Sequence, residues 1–178
     1  EKLTYVVPLT LAIIVILLFL NFRRFAEVGI IMGTLPFAMI GAIWLMYLLG
    51  YNFSVAVGVG FIALAGVAVE IGVIMLVYLN QSYQSMLETC EQKGLTPRRE
   101  TLRHAVLHGA GLRVRPVTMT AAAIIGGLVP IMVGTGTGSE VMGRIAAPMV
   151  GGMISAVILA LLVIPALFYL WKRQGVAT

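Results

Sequence analysis

Residues 54–79 read SVAVGVGFIALAGVAVEIGVIMLVYL, twenty-six positions that hold one charge, Glu70. A bilayer core about 30 Å thick is crossed by a helix of roughly 20 mostly apolar residues, so this stretch by itself predicts a membrane helix. Outward from it, four more stretches meet the same test, at about residues 4–22, 28–49, 116–133 and 143–171. The 178-residue chain is 60% hydrophobic and 11% charged, with mean hydropathy +1.03. A soluble domain carries about 25% charged residues; this chain has too few to cover a water-facing surface. An ordinary soluble enzyme, a disordered segment and a secreted disulfide scaffold are thereby excluded. The lone cysteine, Cys90, permits neither an internal disulfide nor a cysteine metal cage. The predicted fold is all-α: a polytopic membrane helix bundle of five transmembrane helices, with residues 1–178 as a single transmembrane domain.

The connections set the topology. Asn21-Phe22-Arg23-Arg24 is a tight basic turn, Gly50-Tyr51-Asn52 a short polar one, and Gly134 to Ser139 a glycine-rich loop. The long connection, about residues 80–115, is split by Gly94 and Pro97 into two predicted amphipathic helices, about residues 82–93 and 97–108. In a five-span arrangement Arg23, Arg24, Lys93, Arg98, Arg99, Arg103, Arg113, Arg115, Lys172 and Arg173 fall on one side, and only Lys2 and Arg144 on the other. By the positive-inside rule the N-terminus lies outside, and the 80–115 connection and the C-terminus lie in the cytoplasm. The formal charge of +5 thus reads as membrane orientation rather than nucleic-acid binding. The chain starts at Glu1 without a signal-peptide pattern and with an outside start, so it is expected to be a piece of a longer membrane protein.

Small residues let membrane helices approach closely. Gly143, Ala147, Gly151 and Ser155 recur every four residues and predict a tight helix–helix contact. Gly29 and Gly33 suggest the same for the second helix. Pro36, Pro148 and Pro165 lie inside apolar spans and are expected to kink them.

Glu70 is the residue that points beyond structure. At least nine uncharged residues flank it on either side, and an ionisable group at such depth costs several kcal/mol and is functional by default. Burial favours the protonated form of a carboxyl and a nearby cation favours the ionised form, a balance suited to a group that gains and loses a proton. Val59, Ala63, Gly66, Glu70 and Val77 share one stripe, whose small residues would admit a helix with a partner charge. A static ion pair is the plainer alternative. Arg113 and Arg115 stand before Pro116, with Thr118 and Thr120 following; from spacing alone the arginines read as headgroup anchors or as partners of Glu70. Ten methionines, among them Met32, Met39 and Met46 at sevenfold spacing and Met142, Met149 and Met153 on one face, offer soft thioethers that suit Cu(I) or Ag(I). Methionine is also an ordinary filler of apolar gaps, and for any single one that is the better reading. His104 and His108, one turn apart, read as solvated.

The runs GFIALAGVAVEIGVIMLVYLNQ (residues 60–81), LRVRPVTMT (112–120) and GTGTGSEVMGRIAAPMVGGMISA (134–156), with the closing IPALFYL (164–170), resemble the resistance-nodulation-division (RND) efflux pumps, and within them the copper/silver exporters of the heavy-metal branch. The resemblance covers essentially the whole chain and places it as the last five membrane helices. It implies a homotrimeric, proton-driven antiporter of the bacterial inner membrane. Such a pump works with a periplasmic adaptor protein and an outer-membrane channel, and needs no cofactor beyond the transported ion and protons. It also implies a relay carboxylate at Glu70, a relay arginine at Arg113, a relay threonine at Thr120, and a methionine of the intramembrane metal path at Met142. One position departs: the copper/silver pattern has a lysine directly after the Arg-Pro pair, where this chain has Val117.

The leading expectation is therefore a proton-driven Cu(I)/Ag(I) exporter, a secondary transporter and not an enzyme; no phosphate loop, nucleophile–base pair or dinucleotide motif is present. The alternatives are an RND exporter of divalent cations or organic drugs, and a non-transporting membrane anchor or assembly module.

Overall fold

The computed structural model describes residues 1–174. Its helices are α1 (Lys2–Phe22), α2 (Phe25–Leu49), α3 (Val55–Gln92), α4 (Arg99–Val133), α5 (Ser139–Ile158) and α6 (Ile164–Arg173), with a π-helical turn, Leu159–Val163, joining the last two. Five helical segments, α5 through α6 counted as one, are long and apolar enough to cross a membrane. The all-α reading holds, and each predicted span coincides with one of these helical segments, with Ser54 just before α3 as its N-cap.

The 80–115 connection differs from expectation. It does not form separate helices. α3 runs unbroken for 38 residues and α4 for 35, about 57 and 52 Å at 1.5 Å per residue, well beyond a bilayer core. The amphipathic segments are the ends of the membrane helices themselves, and the chain reverses between Lys93 and Arg98 at Gly94, whose φ of 63° is left-handed. Pattern and length explain this: no residue between 80 and 92 breaks a helix, so the apolar helix propagates into a polar one. Met86, Cys90, Leu102 and Val106 are buried between the two arms. Gly109 allows the arms to meet, since a β-carbon there would lie 2.9 Å from that of Ser82, whose hydroxyl donates to the Ala105 carbonyl at 2.5 Å.

α5 is the central helix and packs on α2, α3 and α4, while α1 packs chiefly on α2 and buries only Leu18. The small-residue ladder does what its spacing predicts. Gly143, Ala147 and Gly151 are buried; a methyl on Gly41 or Gly151 would collide with the other helix's backbone, and the Ser155 hydroxyl donates to the Ala38 carbonyl at 2.8 Å. Gly29 and Gly33 do not make the expected contact: nothing stands within 4 Å of where their β-carbons would be. They edge an open groove with Phe37 and Leu167 instead. Pro36 and Pro148 sit inside continuous helices. Pro165 follows the π turn, as its missing N–H and its ring's clash with the carbonyl four residues back require a widened turn.

Candidate functional site

Glu70 lies on α3, and its side chain is exposed on the outside of the bundle. Along its stripe Val59 and Gly66 are also exposed, and Ala63 and Val77 half-buried. The opposite face, with Leu64, Ala68, Ile71 and Met75, is buried against the other helices. The stripe of small residues thus leaves the carboxylate facing away from the described helices.

The other predicted site residues are not gathered around it. Arg113, half-buried on α4, turns onto α3 and holds its guanidinium 5.0 Å from the centre of the Tyr78 ring. Its Nε is buried without a hydrogen-bond partner. Tyr78 is eight residues past Glu70, about 12 Å along the helix. Arg115 is exposed, so of the two arginines only Arg113 is turned inward. Thr120 is exposed, and its hydroxyl donates to the Pro116 carbonyl of its own helix at 3.0 Å. Met142, 56% exposed, stands in the first turn of α5. Val117, where the resemblance leads one to expect lysine, is 2% exposed and belongs to the core. Of the other methionines, Met39 and Met46 line an apolar pocket with Tyr47, Tyr51, Phe53 and Phe61, and Met153 is buried. Among the described residues no group of three or more His, Cys, Asp or Glu side chains could hold a metal ion.

Sequence reading overlooked Glu27. It sits in the first turn of α2, where a carboxylate suits the helix dipole, and it is 3% exposed. The Asn80 amide donates to its Oε1 at 3.2 Å. A pocket of about 550 Å³ next to it is lined also by Arg24, Asn80, Glu88 and Lys172. Lys172 is held over the rings of Trp171, at 4.3 Å, and Tyr83, at 4.6 Å, and Arg24 lies 5.8 Å from the Trp171 ring. The signal was present in the sequence: Glu27, Val28, Ile31 and Thr34 fall on one helical face, and all four are buried. The adjacent Arg23 and Arg24 mask that signal by marking the segment as a basic turn.

The profile of the AcrB/AcrD/AcrF family matches residues 1–172. The putative cation efflux system protein SilA of Salmonella typhimurium is 54% identical over 98% of this chain and 16% of its own length. The cation efflux system protein CusA of Escherichia coli (strain K12) is 52% identical over 98% of this chain and 16% of its own. The cobalt-zinc-cadmium resistance protein CzcA of Cupriavidus metallidurans is 36% identical over 97% and 15%. A crystal structure of a heavy metal efflux pump superposes with a TM-score of 0.80 at 36% identity, over 96% of this chain and 16% of that one. The chain spans about one sixth of the length of these relatives. With the family profile matched over residues 1–172 and the five-helix fold shared with a solved relative at 36% identity, the chain belongs to the AcrB/AcrD/AcrF family of RND proteins.

Proposed function

We propose that this chain is the membrane segment of a proton-driven exporter of Cu(I) or Ag(I), and that it carries part of the proton path. The observation that carries the reading is Glu70, a solitary carboxylate in the apolar part of α3 whose side chain is presented outward. An isolated carboxylate at such depth is costly to keep, and nothing structural within the five helices depends on it. A non-transporting anchor leaves it without a purpose. Glu70 carries the proton, Arg113 supplies the cation that Val117 does not, Thr120 lies on the same route, and Met142 offers a thioether to the metal. The soft monovalent metals are favoured over divalent cations by the thioethers and by the higher identity to SilA and CusA than to CzcA.

In this reading residues 1–178 form one transmembrane domain of a homotrimeric, multi-pass protein of the bacterial inner membrane. The arms of α3 and α4 and the end of α6 are cytoplasmic, the N-terminus periplasmic, and the working partners a periplasmic adaptor and an outer-membrane channel. The test is silver and copper tolerance of cells that carry Glu70→Gln in the full-length protein. Tolerance falling to that of cells lacking the transporter, at unchanged protein level, is expected. Undiminished tolerance overturns the relay role.

A further inference from the structure

We propose that Glu27 is the proton-release carboxylate of this bundle, taking up the proton that leaves Glu70 and delivering it to water at the basic end of the helices. This rests on the relay reading of Glu70 and extends it to a residue which that reading does not use.

Three observations carry it. First, Glu27 is a carboxylate withdrawn almost wholly from the surface, 3% exposed, yet it borders a pocket of about 550 Å³, ample for several waters at about 30 Å³ each. Second, the charges that share this pocket are mixed. Lys172 faces it from α6, Arg24 from the α1–α2 turn and Glu88 from α3, with the Asn80 amide at 3.2 Å. A pocket holding both signs can keep its balance whether Glu27 is protonated or not, as a group that exchanges protons requires. Third, the pocket lies on the same face of α3 as Glu70. Glu70, Val77, Gln81, Gln84 and Glu88 follow one another at spacings of seven, four, three and four, which is one helical stripe, and the last four line the pocket.

In the step, the carboxyl O–H of Glu70 breaks and its proton passes through water along this stripe to the Glu27 oxygen that Asn80 does not engage. Glu70 is left as a carboxylate. Glu27 then gives the proton to water at the basic end and returns to the carboxylate facing Lys172. No electrons move.

The test uses the full-length transporter in proteoliposomes loaded with a pH-sensitive dye, with an imposed pH gradient and Ag(I) as substrate. Metal-dependent proton flux is measured against pH for the parent protein, Glu27→Gln, Glu27→Asp and Glu70→Gln at equal incorporation. Glu27→Gln is expected to slow the flux at least tenfold. Glu27→Asp should recover a substantial part of it with the rate–pH profile displaced to lower pH, since aspartate titrates below glutamate. Glu70→Gln should abolish it. Parent flux and profile in Glu27→Gln beside an inactive Glu70→Gln overturn the proposal and leave the relay reading intact. Parent flux in Glu70→Gln overturns both. If Glu27→Gln fails to incorporate, Glu27→Asp decides: a displaced profile supports the proposal and an unchanged one overturns it.

Discussion

Arg113 and Val117 are four residues apart on α4, on neighbouring turns of one face, and the structure treats them differently. Val117 fills the core, while Arg113 crosses to α3 and places its guanidinium 5.0 Å from the Tyr78 ring centre with its Nε unpartnered. Arginine and lysine are not interchangeable at such a site, because the ammonium is a compact, strongly hydrated point charge that lacks the delocalised guanidinium. If Arg113 supplies the relay cation, charge alone will not replace it. Arg113→Gln in the full-length transporter is expected to lower silver tolerance about as far as Glu70→Gln does, and Arg113→Lys to restore only part. Full tolerance in Arg113→Gln would show that the arginine serves only its contact with Tyr78.

The element scale is governed by how close α5 comes to its neighbours. The backbones of Gly41 and Gly151 meet where a β-carbon on either would collide. Gly151→Val should therefore cost about 1–3 kcal/mol, the range for overpacking, and visibly lower the melting temperature of the purified transporter. Gly29→Val faces empty space and should stay within about 0.5 kcal/mol, as for a substitution away from such contacts. Ser155→Ala loses the hydroxyl bond to Ala38, worth about 0.6 kcal/mol between membrane helices, and should fall between the two. These differences also mark how far the elements were legible in the sequence. The four-residue repeat from Gly143 to Ser155 was, because a ladder of that length admits one geometry. Gly29 and Gly33 were not, because two glycines four apart show that a helix can be approached but not whether a neighbour is there. The lengths of α3 and α4 were misread for a related reason: Gly94 and Pro97 mark a reversal, but nothing in the local pattern distinguishes a separate amphipathic helix from the continuation of an apolar one. Glu70 was legible as a lone charge in an apolar run, whereas Glu27 was hidden among basic neighbours and is revealed only by the packing of α2 against α3.

At the scale of the whole molecule, most of the charges gather at one end. Arg23, Arg24, the arms of α3 and α4, and Lys172 lie at one end, and the loop from Gly134 to Gly138 with Tyr51 and Asn52 lies at the other, as follows from helices α1 to α5 alternating in direction. The arms carry the consequence. At about 57 Å, α3 outruns a 30 Å hydrocarbon core by a length that only water can accommodate, since its last turns hold Glu88, Glu91 and, just beyond, Lys93. In the orientation proposed above, that excess is cytoplasmic. Cysteine labelling can test this, because the reporter positions are exposed and the native cysteine is not: Lys93 and Thr137 are open to solvent, while Cys90 is buried. In an otherwise cysteine-free full-length transporter, Thr137→Cys should react with a membrane-impermeant maleimide in spheroplasts and Lys93→Cys should not. In inside-out vesicles the two should exchange behaviour. Labelling of Lys93→Cys in spheroplasts would invert the bundle. Glu27 would then open toward the periplasm, at the entry of the proton path instead of its exit, so the same measurement fixes the direction in which the two carboxylates pass a proton.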